Sequence, residues 1–264
     1  MLIDLHMHTT CSDGVWPKER LFDEVRARRL ELFCVSDHDT LAAYPMPHDL
    51  EGRSIPGLEV DSEHDGHTVH VLAYGVRDPA TPLMQALTQQ RTAREERMLQ
   101  MIERLAGLGL SVSLDDVRAQ AKGASSLGRP HLARALLERG HVATLQEAFD
   151  RYLADEGTGF VPLRRLTSTE IVELIEQSGG VSVVAHPKRL RKPEHLDELR
   201  EAGVRGVEVV HPTADAATER ELYDYAERYG LLATGGTDFH FPTDRPIGIT
   251  FDDAHVARLL DAVT

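Results

Sequence analysis

The chain has 264 residues and a formal net charge of −14, from 29 Lys and Arg against 43 Asp and Glu. With 41% hydrophobic and 27% charged residues it has the composition of a globular protein with a full core, which excludes disordered and collagen-like classes. The acidity argues against coating nucleic acid by bulk charge, but not against binding one phosphate locally. In chain order, short β-branched and apolar runs alternate with helical patterns. A strand at 2–5 precedes a helix at 17–29, where Pro17 suits the first turn because its missing N–H is not needed there. A strand at 32–36 precedes a short helix after Thr40, and two further strands are expected at 54–60 and 68–74. Residues 78–162 break the rhythm. Leu83, Leu87, Met98, Ile102 and Leu105 mark one long amphipathic helix, stopped by Gly107 and Gly109. Helices at 114–121, 131–139 and 144–153 follow, and residues 155–159 form the exit loop. The α/β rhythm then resumes with helices at 168–177, 194–201 and 214–229 and strands at 181–185, 206–210 and 231–234. Gly179-Gly180 ends the first of these helices. The pattern predicts a mainly parallel α/β sheet or barrel formed by 1–77 and 163–264, interrupted by an all-helical insertion at 78–162.

No apolar run approaches the roughly 18 residues of a membrane span, so no membrane partner is expected. The first residues lack the basic and apolar regions of a secretory signal. Cys11 and Cys34 cannot make a disulfide framework, so free thiols and a cytoplasmic location are expected.

One count is out of line: 14 histidines against 6 tyrosines and 7 phenylalanines. Their placement is informative. His6 and His8 follow the first strand, with Asp13 close behind, and Asp37-His38-Asp39 follows the second. Glu59 ends the third strand, His70 lies on the fourth, and His186 follows Val183-Val184-Ala185. Asp238 and His240 come after the last listed strand. The carboxyl ends of parallel strands are where active sites assemble in α/β barrels. Imidazole with carboxylate suits Zn, Mn or Fe, and carboxylates can bridge two ions. The spacing in His6-Met7-His8 puts both imidazoles on one side of an extended chain. Each piece has a plainer reading. Asp37-His38-Asp39 could be a turn with Asp39 as a helix cap, His186 a loop residue, Glu59 a satisfied buried acid, and Asp238-Phe239-His240 a polar turn. Their joint position at strand ends favours metal.

The sequence resembles the PHP (polymerase and histidinol phosphatase) superfamily of metal-dependent phosphoesterases. The resemblance rests on His6-Met7-His8-Thr9 with Ser12-Asp13-Gly14, Ser36-Asp37-His38-Asp39, Gly57-Leu58-Glu59-Val60, His70, Ala185-His186-Pro187 and Gly236-Thr237-Asp238-Phe239-His240. Gly128-Arg129-Pro130-His131 adds a likeness to the branch of 3′,5′-nucleoside bisphosphate phosphatases and 5′-3′ exoribonucleases. The resemblance implies a distorted (βα)7-type barrel with a helical insertion. It also implies three divalent ions, Mn foremost with Fe or Zn as alternatives. One ion would take His6, His8, Glu59 and Asp238; a second Asp13, His38 and His240; a third Glu59, His70 and His186. Asp37 is expected among the catalytic residues. Arg129 would clamp a substrate phosphate, although on residues alone it reads equally well as a solvated arginine at a helix start. His131 would be a second contact and proton donor, or else an ordinary helix histidine. Arg189 is a further candidate for phosphate, while Lys188 and Arg191 read as surface charge.

The implied activity is hydrolysis, by metal-activated water, of 3′,5′-bisphosphorylated nucleotides or of short 5′-phosphorylated oligoribonucleotides. The expected partners are therefore a small phosphorylated nucleotide or a short RNA end, with no obligate protein partner. The alternatives are a monophosphatase for a metabolite such as histidinol phosphate, and a non-catalytic, metal-bound binding module. His48, His64, His67, His195, His211 and His255 are expected at the surface or behind the ligands. His211, which follows Glu208 at a strand end, is the likeliest exception. Trp16 is expected beside Pro17.

Overall fold

The computed structural model describes residues 1–121, 127–154, 157–242 and 246–264. Asp155 and Glu156 of the expected exit loop lie outside the described residues. The chain divides into two units, Met1–Gln85 with Leu166–Thr264, and Ala86–Arg165. No described helix is long and apolar enough to cross a membrane.

The first unit is mixed α/β. Strand β1 (Leu2–Asp4) lies between β2 (Leu32–Phe33), parallel to it, and β8 (Ile249–Thr250), antiparallel to it. The other sheet has the order β3 (Gly57–His64), β4 (His67–Tyr74), β5 (Val181–Val184), β6 (Gly206–Val210) and β7 (Leu232–Gly235). Backbone bonds run on between the sheets. Ile55 N donates to Phe33 O (2.9 Å) and Glu59 N to Ser36 O (3.0 Å), while Leu5 N donates to Gly235 O (3.2 Å) and His8 N to Phe239 O (2.8 Å). Ile3, Leu5, Leu72, Val183, Val207 and Ala233 share one apolar cluster between these strands.

Three expectations about this unit are corrected. The sheet is not mainly parallel, because β3 pairs antiparallel with β4, and β4 antiparallel with β5. The cause is local: Asp65 and Gly66 carry φ of 48° and 74°, the two-residue turn that closes a tight hairpin. Glu59 therefore does not end its strand; β3 runs on to His64, and the hairpin continues past the level at which β2 stops. The short helix after Thr40 starts later than the residues around Thr40 suggest. Pro45 and Pro47 disfavour helical backbone at the residues before them, and α2 forms only at His48–Glu51. Asp39 does not directly precede a helix; its φ is 55° and its N–H goes to Glu59 O at 2.9 Å.

Other elements follow the local signals. Helix α1 (Lys18–Arg28) follows Pro17, and α7 (Ser168–Gln177) opens on a capping box between Thr167 and Glu170. Gly179, with φ of 73°, turns the chain out of α7. Helices α8 (Glu194–Glu201) and α9 (Ala216–Tyr229) flank β6. The sequence reading omitted β8 and α10 (Asp253–Ala262), although Asp252 caps α10 and Val256 and Leu259 give it a buried stripe. Trp16 finds its ring partner far along the chain, in Phe239, with centroids 4.5 Å apart. Both cysteines are free, and burial pushes the Cys34 thiol up to about 12.

The second unit is helical among its described residues. Most of α3 (Pro82–Gly107) is followed by α4 (Leu114–Ala121), α5 (Arg129–Glu138), α6 (Leu145–Ala148) and a π turn at Phe149–Leu153. Met98, Met101, Leu105, Leu132, Leu136 and Leu153 pack in its core.

Candidate metal centre

Strand β1 runs into His6 and His8, both fully buried. Met7, between them, points into a separate apolar cluster with Phe33 and Phe239, as alternation in extended backbone requires. The backbone that carries the two imidazoles is held by acids outside the ligand groups. Asp4 accepts from the N–H of His6 (3.3 Å), Thr237 (3.0 Å) and Gly248 (2.9 Å), and from Thr237 Oγ1 (2.6 Å). One buried carboxylate thus ties the end of β1 to the loop carrying Asp238. Only glycine fits at 236 in that loop, since a Cβ there would stand 2.5 Å from His6 N.

Asp37 does the equivalent work on the other side. It accepts from Thr9 N (2.7 Å), Thr9 Oγ1 (2.6 Å) and Ser12 Oγ (2.6 Å), and it is fully buried. Both of its oxygens are engaged. Through these bonds Asp37 holds the loop that runs from His8 to Asp13. Val15 N–H bonds His240 O at 2.7 Å, which ties that loop to the one after β7.

Glu59 stands at the middle of the cluster. Its Oε2 lies 3.3 Å from His6 Nε2, 3.2 Å from His8 Nε2 and 3.3 Å from His38 Nε2. Its Oε1 lies 2.9 Å from His70 Nδ1 and 3.1 Å from His186 Nε2. Asp238 Oδ1 is 3.4 Å from His6 Nε2 and 3.5 Å from His8 Nε2. Asp13 Oδ2 is 3.3 Å from His240 Nε2 and 3.7 Å from His38 Nε2. All nine residues expected as ligands are thereby brought together. They fall into groups able to hold an ion: His6, His8, Glu59 and Asp238; Glu59, His70 and His186; and Asp13, His38 and His240, with His8 added to this last group.

These groups fit divalent cations. The buried nitrogens His6 Nε2, His8 Nδ1 and His8 Nε2 have no hydrogen-bond partner, which a protein does not normally leave uncompensated. Two N or O ligands held about 2.0–2.2 Å from one ion stand about 2.9–3.5 Å apart, the spacing of most of these pairs. The donor set of imidazole and carboxylate suits Zn, Mn or Fe.

The electrostatics point the same way. Burial would raise the Glu59 carboxyl, but His6 and His38 hold it well below the usual range. Burial likewise opposes ionisation of Asp238, and His211 and His8 overcome it, leaving the carboxyl far below normal. Asp13 falls to about 2 against its own desolvation, chiefly through the bond from His240. Burial lowers His186, favouring the neutral imidazole that a cation needs. Two of the residues are held in left-handed backbone, His186 with φ of 30° and Asp238 with φ of 48°. Such non-glycine conformations cost about 1–3 kcal/mol and persist where the surroundings over-determine them.

Glu208 supplies part of that determination and was missed in the sequence. It is fully buried; its Oε2 accepts from His186 N at 2.6 Å and its Oε1 lies 3.0 Å from His6 Nδ1. A carboxylate on the far nitrogen of a ligand imidazole fixes its ring and tautomer. An acid inside the apolar run Gly206–Val210 was the available signal. Asp61 was missed too: it stands 3.1 Å from His38 Nδ1 and 3.5 Å from His70 Nε2, and the period of two from Glu59 marks it. His211, the candidate exception, stays behind the ligands: it is buried with Nε2 at 3.2 Å from Asp238 Oδ2 and joins none of the ion-holding groups. His195, expected at the surface or behind the ligands, is 1% exposed.

Arg189 ends a 3₁₀ turn after His186 and puts Nη1 3.1 Å from Asp238 Oδ2, with half its side chain exposed. Arg129 and His131 belong to the second unit. Arg129 opens α5, donates from Nη1 to Leu153 O (3.0 Å) and lies 5.5 Å from the Phe160 ring, so it is held rather than loose. His131 Nδ1 accepts from Gly128 N at 3.0 Å, and burial lowers its pKa.

No protein-family model matches the chain. Among characterised proteins, it is 32% identical to the 5′-3′ exoribonuclease Rnm of Escherichia coli over 254 residues, covering 92% of this chain and 86% of that one. It is 31% identical over 268 residues to a 3′,5′-nucleoside bisphosphate phosphatase of Chromobacterium violaceum, covering 97% and 94%. A crystal structure of a candidate metal-dependent phosphoesterase from Bifidobacterium adolescentis superposes with a TM-score of 0.72 at 30% identity, over 98% of this chain and 96% of that one.

Proposed function

The chain belongs to the PHP-type metal-dependent phosphoesterases, and from that premise we propose that it hydrolyses 3′,5′-bisphosphorylated nucleotides, short 5′-phosphorylated oligoribonucleotides, or both. That it is a phosphoric ester hydrolase follows from the family. The substrates are the step beyond, supported by the names of the two relatives. The observation that carries the reading is the convergence of unbonded buried imidazole nitrogens on Glu59 and Asp238 at 3.2–3.5 Å.

In this reading three divalent ions, Mn foremost, occupy the three groups, and the strands close into a distorted (βα)7-type barrel. The run of backbone bonds from β2 to β3 and from β7 to β1 supports closure. The helical unit is the insertion. A cytoplasmic location is proposed with them, on the two unpaired thiols. Bound ions supply Lewis acidity: they activate water at neutral pH, hold phosphoryl oxygens and stabilise the leaving oxygen. The protein's own residues do the rest. Asp4, Asp37 and Glu208 keep the imidazoles aimed. Arg189 offers a guanidinium at the exposed rim beside Asp238, where it can meet a substrate phosphate. Arg129 is the proposed clamp for a second phosphate, with His131 beside it in α5 as a contact and proton donor.

One metal-loaded preparation tests this. Turnover of adenosine 3′,5′-bisphosphate and of a 5′-phosphorylated oligoribonucleotide is compared with that of histidinol phosphate. Faster turnover of either nucleotide substrate is expected. Histidinol phosphate consumed far faster than both would overturn the substrate assignment, and no turnover of any phosphoester would favour a binding module.

A further inference from the structure

The far end of the β3–β4 hairpin carries a second cluster of ligand types, outside the catalytic groups. His64 is the last residue of β3, and its Nε2 lies 2.6 Å from Glu198 Oε2. His195 and Glu198 are three residues apart in α8, which places them on one helix face. The rings of His64 and His195 meet edge to face with centroids 4.9 Å apart. His64, His195 and Glu198 together offer ligand atoms close enough to share one ion.

The decisive feature is His195. Its side chain is 1% exposed, yet neither Nδ1 nor Nε2 has a hydrogen-bond partner. Its nearest ionic neighbour, Asp65 Oδ2, is 3.7 Å from Nε2, beyond hydrogen-bond reach. Asp65 is in any case paired with Lys192. Leaving a buried imidazole unsatisfied costs free energy that a bound cation would recover.

We propose that His64, His195 and Glu198 form a separate binding site for one divalent transition cation, Zn2+ foremost. Two imidazoles and one carboxylate are zinc ligands, and a site of three protein ligands leaves a position for water. Magnesium and calcium prefer all-oxygen sites and are disfavoured here. Glu198 is half-exposed, so the site opens to solvent and the ion can exchange. Two ligands of one ion stand about 3 Å apart, so the His64–Glu198 pair opens by only about half an ångström to admit it. The ion ties the hairpin that carries Glu59, Asp61 and His70 to the helix that follows His186 and Arg189. It clamps together two segments that both feed the catalytic groups, without touching those groups.

Zinc content separates this site from the catalytic one. The parent, His64→Ala and Glu198→Gln proteins are equilibrated with Zn2+ at equal concentration and freed of loose metal. Bound zinc is then measured by atomic emission, once in the native background and once with Glu59→Gln weakening the catalytic groups. We expect each variant to hold one ion fewer than its parent in both backgrounds, with phosphoesterase turnover retained in the native one. Thermal unfolding in the Glu59→Gln background should show a rise in Tm with Zn2+ that His64→Ala abolishes. Should His64→Ala fold poorly, Glu198→Gln, altered at an exposed helix position, reads the same deficit. Equal zinc content with and without either substitution overturns the site.

Discussion

The two units bury different kinds of side chain. The first hides Asp4, His6, His8, Asp37, Glu59 and Glu208, every one of them at most 1% exposed. In the second, Gln90 is the one buried polar side chain among the described residues, and the core is Met, Leu, Val and Ala with Tyr152. Buried charge is costly unless it is paired, hydrogen-bonded or bound to metal. The first unit carries that cost where its strands end, and the second carries none of comparable size. Chemistry is thus concentrated in one unit and simple packing in the other, so substitutions in the two should fail differently.

The largest effect is expected from His8→Ala or Asp238→Ala. Each removes a group on which the carboxylate and imidazole cluster converges, so metal and phosphoesterase activity should go together. The loss should exceed the roughly 10–100-fold that outer partners of a metal site cost. Metal analysis beside turnover checks this; full activity with unchanged metal content would sink the ligand assignment. The counterpart in the helical unit is Leu136→Ala, at a fully buried position. It should lower stability by about 2–5 kcal/mol through lost burial and a cavity. Folded protein should keep its full metal content. Denaturant unfolding gives the first number and metal analysis the second. A metal deficit in folded Leu136→Ala would end the division of labour between the units.

Much of the first unit's site was legible because ligands must be His, Asp or Glu and must sit where strands stop. Those two conditions together picked out His6, His8, Asp13, His38, His186, Asp238 and His240, while Glu59 and His70 lie within β3 and β4 and needed the family resemblance. The supporting acids were harder to read. Asp4 and Glu208 work through hydrogen bonds to Gly248 and His186, distant in sequence, and nothing in local spacing reports such a bond. Asp37 was seen through its motif, but motif position names a neighbourhood and not which atoms its oxygens meet, here those of Thr9 and Ser12. The parallel sheet was overcalled for a related reason. Alternation of strand and helix implies crossover connections, while the Asp65-Gly66 turn states a hairpin and deserved more weight. The short helix after Thr40 starts only at His48, and Pro45 and Pro47 are the local cause of the delay. In the second unit the helix bounds were close because periodic apolar spacing is a strong signal.

Glu208→Gln sharpens the comparison within the first unit. It keeps an oxygen and the side-chain shape but removes the charge that orients His6 and His186. Metal affinity and activity should fall about 10–100-fold, with little change in fold. Equilibrium dialysis against a metal buffer measures the affinity. Affinity unchanged within error would show that Glu208 is packing and not a support for the ligands.

The smallest effect tests whether the packing unit has any share in chemistry. Arg129 and His131 are the residues there that the proposed function uses, and the Arg129 guanidinium is already held by Leu153 O and the Phe160 ring. A charge-assisted hydrogen bond to phosphate is worth about 1.5–3 kcal/mol, so a selective clamp should matter about tenfold or more. Arg129→Ala should therefore leave metal content intact and raise KM for a 3′,5′-bisphosphate, while an aryl phosphate with no second phosphate is almost unaffected. His131, two residues along the same helix, should behave differently: loss of a proton donor lowers kcat, and loss of a mere helix residue lowers neither kcat nor metal content. If Arg129→Ala slows both substrates equally, the arginine is structural and its bond to Leu153 O is its purpose. Specificity for a second phosphate would then have to come from the first unit's own rim, where Arg189 stands beside Asp238.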